Sequence, residues 1–376
     1  MALTDGGMNP EKAMKIPAVE ACVTLLAQSV AGLPFNLMKR RTTGKGADKA
    51  IDHRLYEILH YEPNANMMAF TFWETLMGHL LLWGNAYIQI IRNKFGGILA
   101  LNLLLPWEMK TSKNDKGGLI YEYNAKGGRK TLKPWEIMHI PAFGFDGLRG
   151  MSPIEMHMNT FRLSNKIETY SGTVFADNPS MYASVTGNLT EKQSKAMRDT
   201  LAEYRTGGKR AGKWPVLEGG TVLKNINTSP EQAQLLENRK EQDLAVARIF
   251  RVPPHKIGIL DRATFSNIEH QGMEFVVYSL NPWLRRIEQA VRRSLLMDEE
   301  KRQYFSKFNV NALLRGDTES RYRAYNIARQ GGWRSPNDIL DLEDDNPISD
   351  DQGGNTYMVN GAMKPVKELI QRGVKQ

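Results

Sequence analysis

The run Gly207-Gly-Lys-Arg-Ala-Gly-Lys213 has the spacing of a phosphate-binding loop, in which backbone N–H groups and a lysine cradle a nucleotide's phosphates. The next residue is Trp214, where a Ser or Thr would be needed to hold magnesium. A helical pattern precedes the run and the strand-like WPVL follows it, the reverse of the required strand-to-helix order. It is read as a solvent-exposed turn. The seven histidines, at 53, 60, 79, 139, 157, 255 and 270, form no HExxH or paired-ligand spacing, and the single cysteine, Cys22, cannot build a zinc cluster. His79 and His139 stand in apolar surroundings and read as hydrogen-bonded core histidines. Gly150-Met-Ser152-Pro153 is a helix cap and not a nucleophile elbow. Asp341, Glu343, Asp344, Asp345, Asp350 and Asp351 lack the alternate spacing and central glycine of a calcium loop, so they read as a solvated surface. No motif supports catalysis, a cofactor or a metal.

The cations group differently. Arg205, Lys209, Arg210 and Lys213 lie close together on the glycine-rich turn with no acid among them, as a soluble edge or a docking surface. Lys256 and Arg262 fall in a loop with Thr264, Ser266 and Asn267, and cationic, hydroxyl and amide groups of this kind make sequence-independent contacts to phosphate oxygens. Arg285, Arg286, Arg292 and Arg293 share a helix with Trp283, which favours subunit contacts over DNA.

The elements that must position these residues follow from periodicity. Val19, Cys22, Val23, Leu26 and Val30 recur at helical spacing before Gly32 and Pro34, and LPFNLMKRR then reads as a strand. HRLYEILHYEPN predicts a short helix, and MAFTFWETLMGHLLLWG a helix apolar on nearly all sides, hence buried, ended by Gly84 and Asn85. Short runs from AYIQIIR to IMHIPA, parted by Gly and Asn turns, predict an antiparallel β region. Ser152-Pro153 opens a long helix of about seven turns with a thin stripe of Ile154, Met158, Phe161, Ile167, Tyr170 and Val174. A compact α/β insertion follows: strand MYASVTG, a helix from Thr190 to Tyr204 opened by a Thr190/Gln193 capping box, and strands WPVLEGG and VLKNIN. A second long helix starts after Ser229-Pro230 and stops at Pro253-Pro254. A third, from Ile268, is expected to kink at Pro282; then come the strand YFSKFNV and a helix-rich tail, polar and mobile from about Ser349.

The chain's 376 residues, 41% of them apolar, suffice for two or three folding units, and no apolar run approaches the ~20 residues of a membrane span. The N-terminus lacks a secretory pattern, so the expectation is a soluble intracellular protein with Cys22 as buried packing. The net charge of +9 suits nucleic acid without requiring it.

The segments AVEACVTLLAQSVAGLPF, FTFWETLMGHLLLWGNAYIQIIR, FDGLRGMSPIE, VLEGG, ARIFRVPPHKIG, RATFSNIEHQGMEFVVYSLNPWLRRIEQA and LLRGDTESRYRAYNIARQGGWRSPNDI resemble, in order, the Hong Kong 97-type portal proteins of tailed bacteriophages. The resemblance spans about residues 13 to 348, and FRVPPHKIG together with TFSNIE carries it most specifically. It implies an α+β portal fold that assembles into a ring, usually of twelve, at one capsid vertex of the virion, built in the host cytoplasm. Residues 1–152 correspond to an N-terminal wing, 153–178 and 230–251 to stem helices, 179–229 to a clip, 252–267 to a tunnel loop, 268–315 to the wing helix and strand, and 316–376 to a crown. The implied partners are double-stranded DNA bound without sequence preference, the terminase large subunit, head-completion or adaptor proteins and the major capsid protein, with no membrane. Lys256, Arg262, Thr264, Ser266 and Asn267 then fall in the DNA channel and the basic turn on the clip. A structural head-tail adaptor or shell protein that moves no DNA is the alternative.

Overall fold

The computed structural model describes residues 8–42, 46–115, 117–125, 127–177, 181–184, 190–204, 222–225, 230–259, 272–310, 318–343 and 346–358. The chain divides into two units, 1–308 and 309–376.

The first unit begins with the turn α1 (Pro10–Ala13) and the helix α2 (Pro17–Ala31), which buries Val19, Cys22, Val23, Leu26 and Val30, as their spacing requires. Strand β1 (Phe35–Arg40) follows, then β2 (Ala47–Lys49), α3 (Arg54–His60) and α4 (Ala69–Trp83). Helix α4 packs on α2 and buries Phe72, Trp73, Leu76 and Leu80. Gly84 ends it in the left-handed conformation, φ 70°, which glycine adopts without a Cβ penalty.

The expected β region is two small sheets. Strands β3 (Asn85–Arg92), β4 (Ile98–Leu104) and β8 (Ile137–Pro141) form one, in the order β4-β3-β8; β5 (Met109–Lys113), β6 (Leu119–Ala125) and β7 (Gly128–Leu132) form the other, all antiparallel. Pro106 explains the division, because it carries no N–H for a ladder and opens a 3₁₀ turn between β4 and β5. Tyr87, Leu104, Tyr121, Leu132 and Ile137 pack the two sheets into a shared core.

The long helix expected from Pro153 is broken at His157 (φ −114°, ψ 29°) into α5 (Pro153–Met156) and α6 (Met158–Asp177). After it come β9 (Met181–Ser184), α7 (Glu191–Tyr204), β10 (Val222–Asn225), antiparallel to β9, and α8 (Pro230–Phe250). The capping box on α7 forms: Thr190 Oγ1 lies 2.7 Å from Gln193 Oε1, which also accepts from Thr190 N at 3.0 Å. The strand expected at WPVLEGG lies outside the described residues.

Helix α8 returns antiparallel along α6. Phe161 faces Phe250 with ring centroids 6.3 Å apart, Ser164 donates to Gln242 at 3.4 Å, and Arg239 pairs with Glu168 at 3.5 Å. The next helix is wound as a π-helix from Phe275 to Leu280 before continuing as α9 (Asn281–Ser294). The expected kink at Pro282 is thus a wide turn. Pro282 has no N–H to close the α ladder, so the turn before it expands. A short α10 (Glu300–Gln303) leads to β11 (Tyr304–Phe308), which pairs antiparallel with β1, Phe35 opposite Phe308. Those rings stack at 3.9 Å, with the edge of Trp73 against Phe35 at 5.0 Å, so the unit's first and last strands close one aromatic core.

The second unit contains α11 (Thr318–Gln330) and α12 (Pro336–Glu343). Glu343 departs from the expected solvated acidic surface: it is half-buried, bound by Arg321 Nε at 2.9 Å and by the Tyr325 hydroxyl at 2.6 Å. Asn337 clasps Ile348 through both backbone groups, and Ser349 to Gly354 forms a hydrogen-bonded turn, so this part of the tail expected to be mobile is held. No helix among the described residues is long and apolar enough to cross a membrane.

Candidate functional site

Two loops stand at the base of the hairpin of α6 and α8, one beside each helix. The first leaves α8. Arg251 takes a left-handed conformation, φ 56°, and its carbonyl accepts a hydrogen bond from the Ser279 hydroxyl on the π-helical turn. Pro253 and Pro254 end the helix, and the chain tightens into a 3₁₀ turn, Pro254–Ile257, closed by Gly258 at φ 84°. Lys256 sits on this turn, exposed, its ammonium 5.9 Å from the centre of the Phe275 ring. Burial and the neighbouring Lys256 lower the pKa of His255, whose Nε2 finds no partner among the described residues. A cavity of about 350 Å³ opens beside the turn, lined by Leu244, Ala247, Val252, Pro254 and Tyr278 and by the charged Arg248, Arg251 and Glu274. The other expected channel residues, Arg262, Thr264, Ser266 and Asn267, lie outside the described residues, as do Arg205, Lys209, Arg210 and Lys213.

The second loop joins β8 to α5. Asn85 holds it: the side-chain amide donates to Gly150 O at 2.7 Å, and Oδ1 accepts from Gly150 N at 2.9 Å. His139 Nε2 lies 3.0 Å from the same Oδ1, its Nδ1 lies 3.3 Å from the Tyr121 hydroxyl, and the ring stacks on Tyr87. Ser152 caps α5 and donates to Leu82 O at 2.6 Å. Within the loop, Asp146 accepts from Leu148 N and Arg149 N, both at 2.9 Å, and pairs with Lys113 at 3.2 Å, which brings its pKa down to about 2. The loop's tip carries Phe143 and Phe145, 60% and 85% exposed, with their rings edge to face. This network was not among the expected sites. Its sequence signal is the glycine-dense FGFDGLRGMSP, whose Asp-Gly step and close glycines mark a tight, built turn.

The two core histidines differ from each other. His139 is hydrogen-bonded as expected, whereas His79, edge-on to Trp83 and Trp107, leaves Nδ1 without a partner among the described residues. Burial lowers His79 to about 4; burial, then Arg149 and Arg293, lowers His139 to about 3. Both are neutral in the folded protein, while the unfolded chain takes protons near pH 6.5. The stability they support is therefore present above about pH 6.5 and is lost as pH falls towards 4 and then 3, by about 1.4 kcal/mol per pH unit for each ring. Denaturant midpoints should fall steadily from about pH 6 to about pH 4; a flat profile there contradicts the assignment.

On α9, Arg286 donates to Pro141 O at 3.0 Å and Arg292 to Lys301 O at 3.0 Å, so both anchor backbone within the chain. Arg285 faces Glu288 at 3.3 Å, Arg293 is exposed and Trp283 is half-buried. Among the described residues no group of three His, Cys, Asp or Glu side chains could hold a metal ion.

A body of buried helices and small sheets that projects a two-helix arm with an α/β element at its far end is a fold shared with particle-neck subunits. The neck of a native gene transfer agent particle, solved with C12 symmetry, matches with a TM-score of 0.63 at 22% identity, covering 92% of this chain and 98% of that one. An HK97-family portal protein from Corynebacterium diphtheriae matches with a TM-score of 0.52 at 19% identity, covering 81% and 96%. The portal protein of Enterobacteria phage HK97 is 28% identical over 372 residues, covering 98% of this chain and 87% of that protein. The probable portal protein of Streptomyces phage phiC31 is also 28% identical, over 360 residues. The phage portal protein family model matches residues 17–344, and the chain belongs to that family.

Proposed function

We propose that this chain is the portal subunit of a phage-type particle, closing into a ring of twelve at one capsid vertex and forming the channel through which double-stranded DNA enters and leaves. The family match across residues 17–344 carries this reading, and the twelvefold symmetry of the related particle neck supports the count. In such a ring each subunit uses two different patches, a heterologous contact that closes. Residues 153–178 and 230–251 form the stem, 179–229 the clip, 252–267 the tunnel loop, 316–376 the crown and the remainder the wing.

The mechanism needs no bond-making by this chain. A separate terminase hydrolyses ATP and drives the duplex, and the portal lets it slide. Duplex DNA carries one charge per about 1.7 Å, so a dense cationic wall would hold it fast, whereas a few cations among polar groups give weak, sequence-indifferent contacts. Lys256 and Arg262, with Thr264, Ser266 and Asn267, supply this sparse set. The turn with Arg205, Lys209, Arg210 and Lys213 docks the terminase large subunit and later the head-completion proteins, and the wing meets the major capsid protein. Twelve copies carry about +108, so where the charge lies matters more than its sum.

Electron microscopy of the purified protein should show rings of about twelve with an axial hole; monomers or sheets overturn the reading. The double variant Lys256→Ala/Arg262→Ala should still form rings but change the length or retention of packaged DNA. Unchanged packaging removes both residues from the channel role.

A further inference from the structure

We propose that the subunit contact in this ring is a knob and a hole: Phe145 of one copy enters the cavity at the foot of α8 in the next. This rests on the ring reading.

The knob is preformed. Asp146 accepts two backbone N–H groups inside the loop, Met151 N bonds Phe143 O at 2.8 Å, and Asn85 grips Gly150 from both sides. A loop fixed in this way displays Phe145, 85% exposed, with little ordering entropy left to lose on docking. No surface of the described chain covers it, and an apolar tip so presented marks an interaction site.

The hole suits it in size and in its apolar walls. Its volume of about 350 Å³ admits an aromatic side chain, and its walls, Ala247, Val252, Pro254 and Tyr278, are largely apolar. Met273 and Val277, near Tyr278 in sequence, are also exposed, at 58% and 49%. Arg248, Arg251 and Glu274 also line it, with Arg248 3.8 Å from Glu241, while the knob carries Asp146, 3.2 Å from Lys113, and the exposed Arg149. Each face therefore carries both signs of charge, so the apolar anchor supplies the affinity and the charges around it set the orientation.

Position agrees. The knob loop runs directly into α5 at the base of the arm, and the hole lies at the base of α8, where Phe250 meets Phe161. Both therefore occupy the same end of the hairpin, and a ring whose axis runs along the hairpins puts them at one height. Two distinct patches at one height make the heterologous contact that a closed ring needs.

The one native cysteine makes the test clean. Cys22 is fully buried, and burial pushes its thiol up to about 12, so it stays protonated and unreactive. A Phe145→Cys/Tyr278→Cys chain treated with a short bis-maleimide should give a ladder of covalent oligomers on a denaturing gel, and neither single variant should. The reaction is run at a concentration at which micrographs of the double variant show rings; rings whose chains remain monomeric on the gel overturn the contact and leave the ring reading standing, and absence of rings from the unsubstituted chain overturns both. Phe145→Ala should leave the subunit's own unfolding unchanged and raise the concentration needed for assembly at least about tenfold. Unchanged assembly likewise overturns the proposal.

Discussion

Gly150→Ala is expected to abolish folding of the first unit. A Cβ at Gly150 falls on the carbonyl oxygen of Gly84 and 2.5 Å from Ala142 N, and both atoms are backbone already joined to each other by a 2.8 Å hydrogen bond. No side chain can swing aside. Gly84 makes the reciprocal demand, since its own Cβ would strike the Met151 carbonyl and lie 2.9 Å from Ser152 N, at φ 70°. Two chain segments thus cross here with no room for a Cβ on either. Parting them breaks the Asn85 bonds to Gly150 and exposes the His139 network, a cost of about 4 kcal/mol or more. Gly147 supplies the control. It shares the left-handed conformation of Gly84, φ 67°, but nothing lies within 4 Å of its Cβ position, so Gly147→Ala should cost only about 1–2 kcal/mol. Thermal unfolding and soluble yield of Gly150→Ala, Gly84→Ala and Gly147→Ala measure the difference; equal effects of Gly84→Ala and Gly147→Ala would mean that backbone conformation and not the crossing decides.

That crossing shows what the sequence could and could not disclose. The glycines and the Ser152-Pro153 cap were legible as punctuation, because turn chemistry is local. The pairing of residue 84 with residue 150 was not, since nothing in the periodicity of either segment names its partner. The same limit explains β1 against β11. Both strands could be read from alternation, but Phe35 stacking on Phe308 depends on a separation of most of the chain. Burial of α2 and α4 was readable from the apolar spacing alone. His79 was half readable: an apolar setting predicts a core ring, and only the three-dimensional neighbours reveal that Trp83 and Trp107 offer its Nδ1 nothing to bond. The resemblance to portal proteins reached further than periodicity, because motifs such as FRVPPHKIG named the family that the match over residues 17–344 bears out, while the 3₁₀ turn Pro254–Ile257 within that motif came only from the structure. It did not reach the aromatic tip at 143–145, whose two rings look like core residues until the hydrogen bonds turn them outward.

The thin stripe on the arm leads to the second large effect. Along the hairpin the contacts change from apolar to polar with distance from the body. Ile154 and Phe161 are completely buried, Ser164 is buried, and by Tyr170 the side chain is 62% exposed. On the facing helix Val246, Ala247 and Phe250 are buried and Leu236 is 53% exposed. The Arg239–Glu168 pair farther out is half-solvated and worth under about 1 kcal/mol. Among the described side chains, nearly all the apolar contact holding the two helices together within one subunit therefore lies at the base. Phe161→Ala should cost about 3–5 kcal/mol through the cavity it leaves beside Phe250. Because little else among the described side chains clasps the arm, that loss should open it as a unit. Amide exchange in 158–170 and 236–250 is expected to rise together by about two orders of magnitude or more, while α2 and α4 keep their protection. Arg239→Ala, by contrast, should change exchange little. If Phe161→Ala instead raised exchange uniformly across the first unit, the arm would be cooperative with the body. If the loss disappeared once rings had assembled, the neighbouring subunit would be supplying what the stripe lacks, the outcome expected of an arm built to be completed by the next copy.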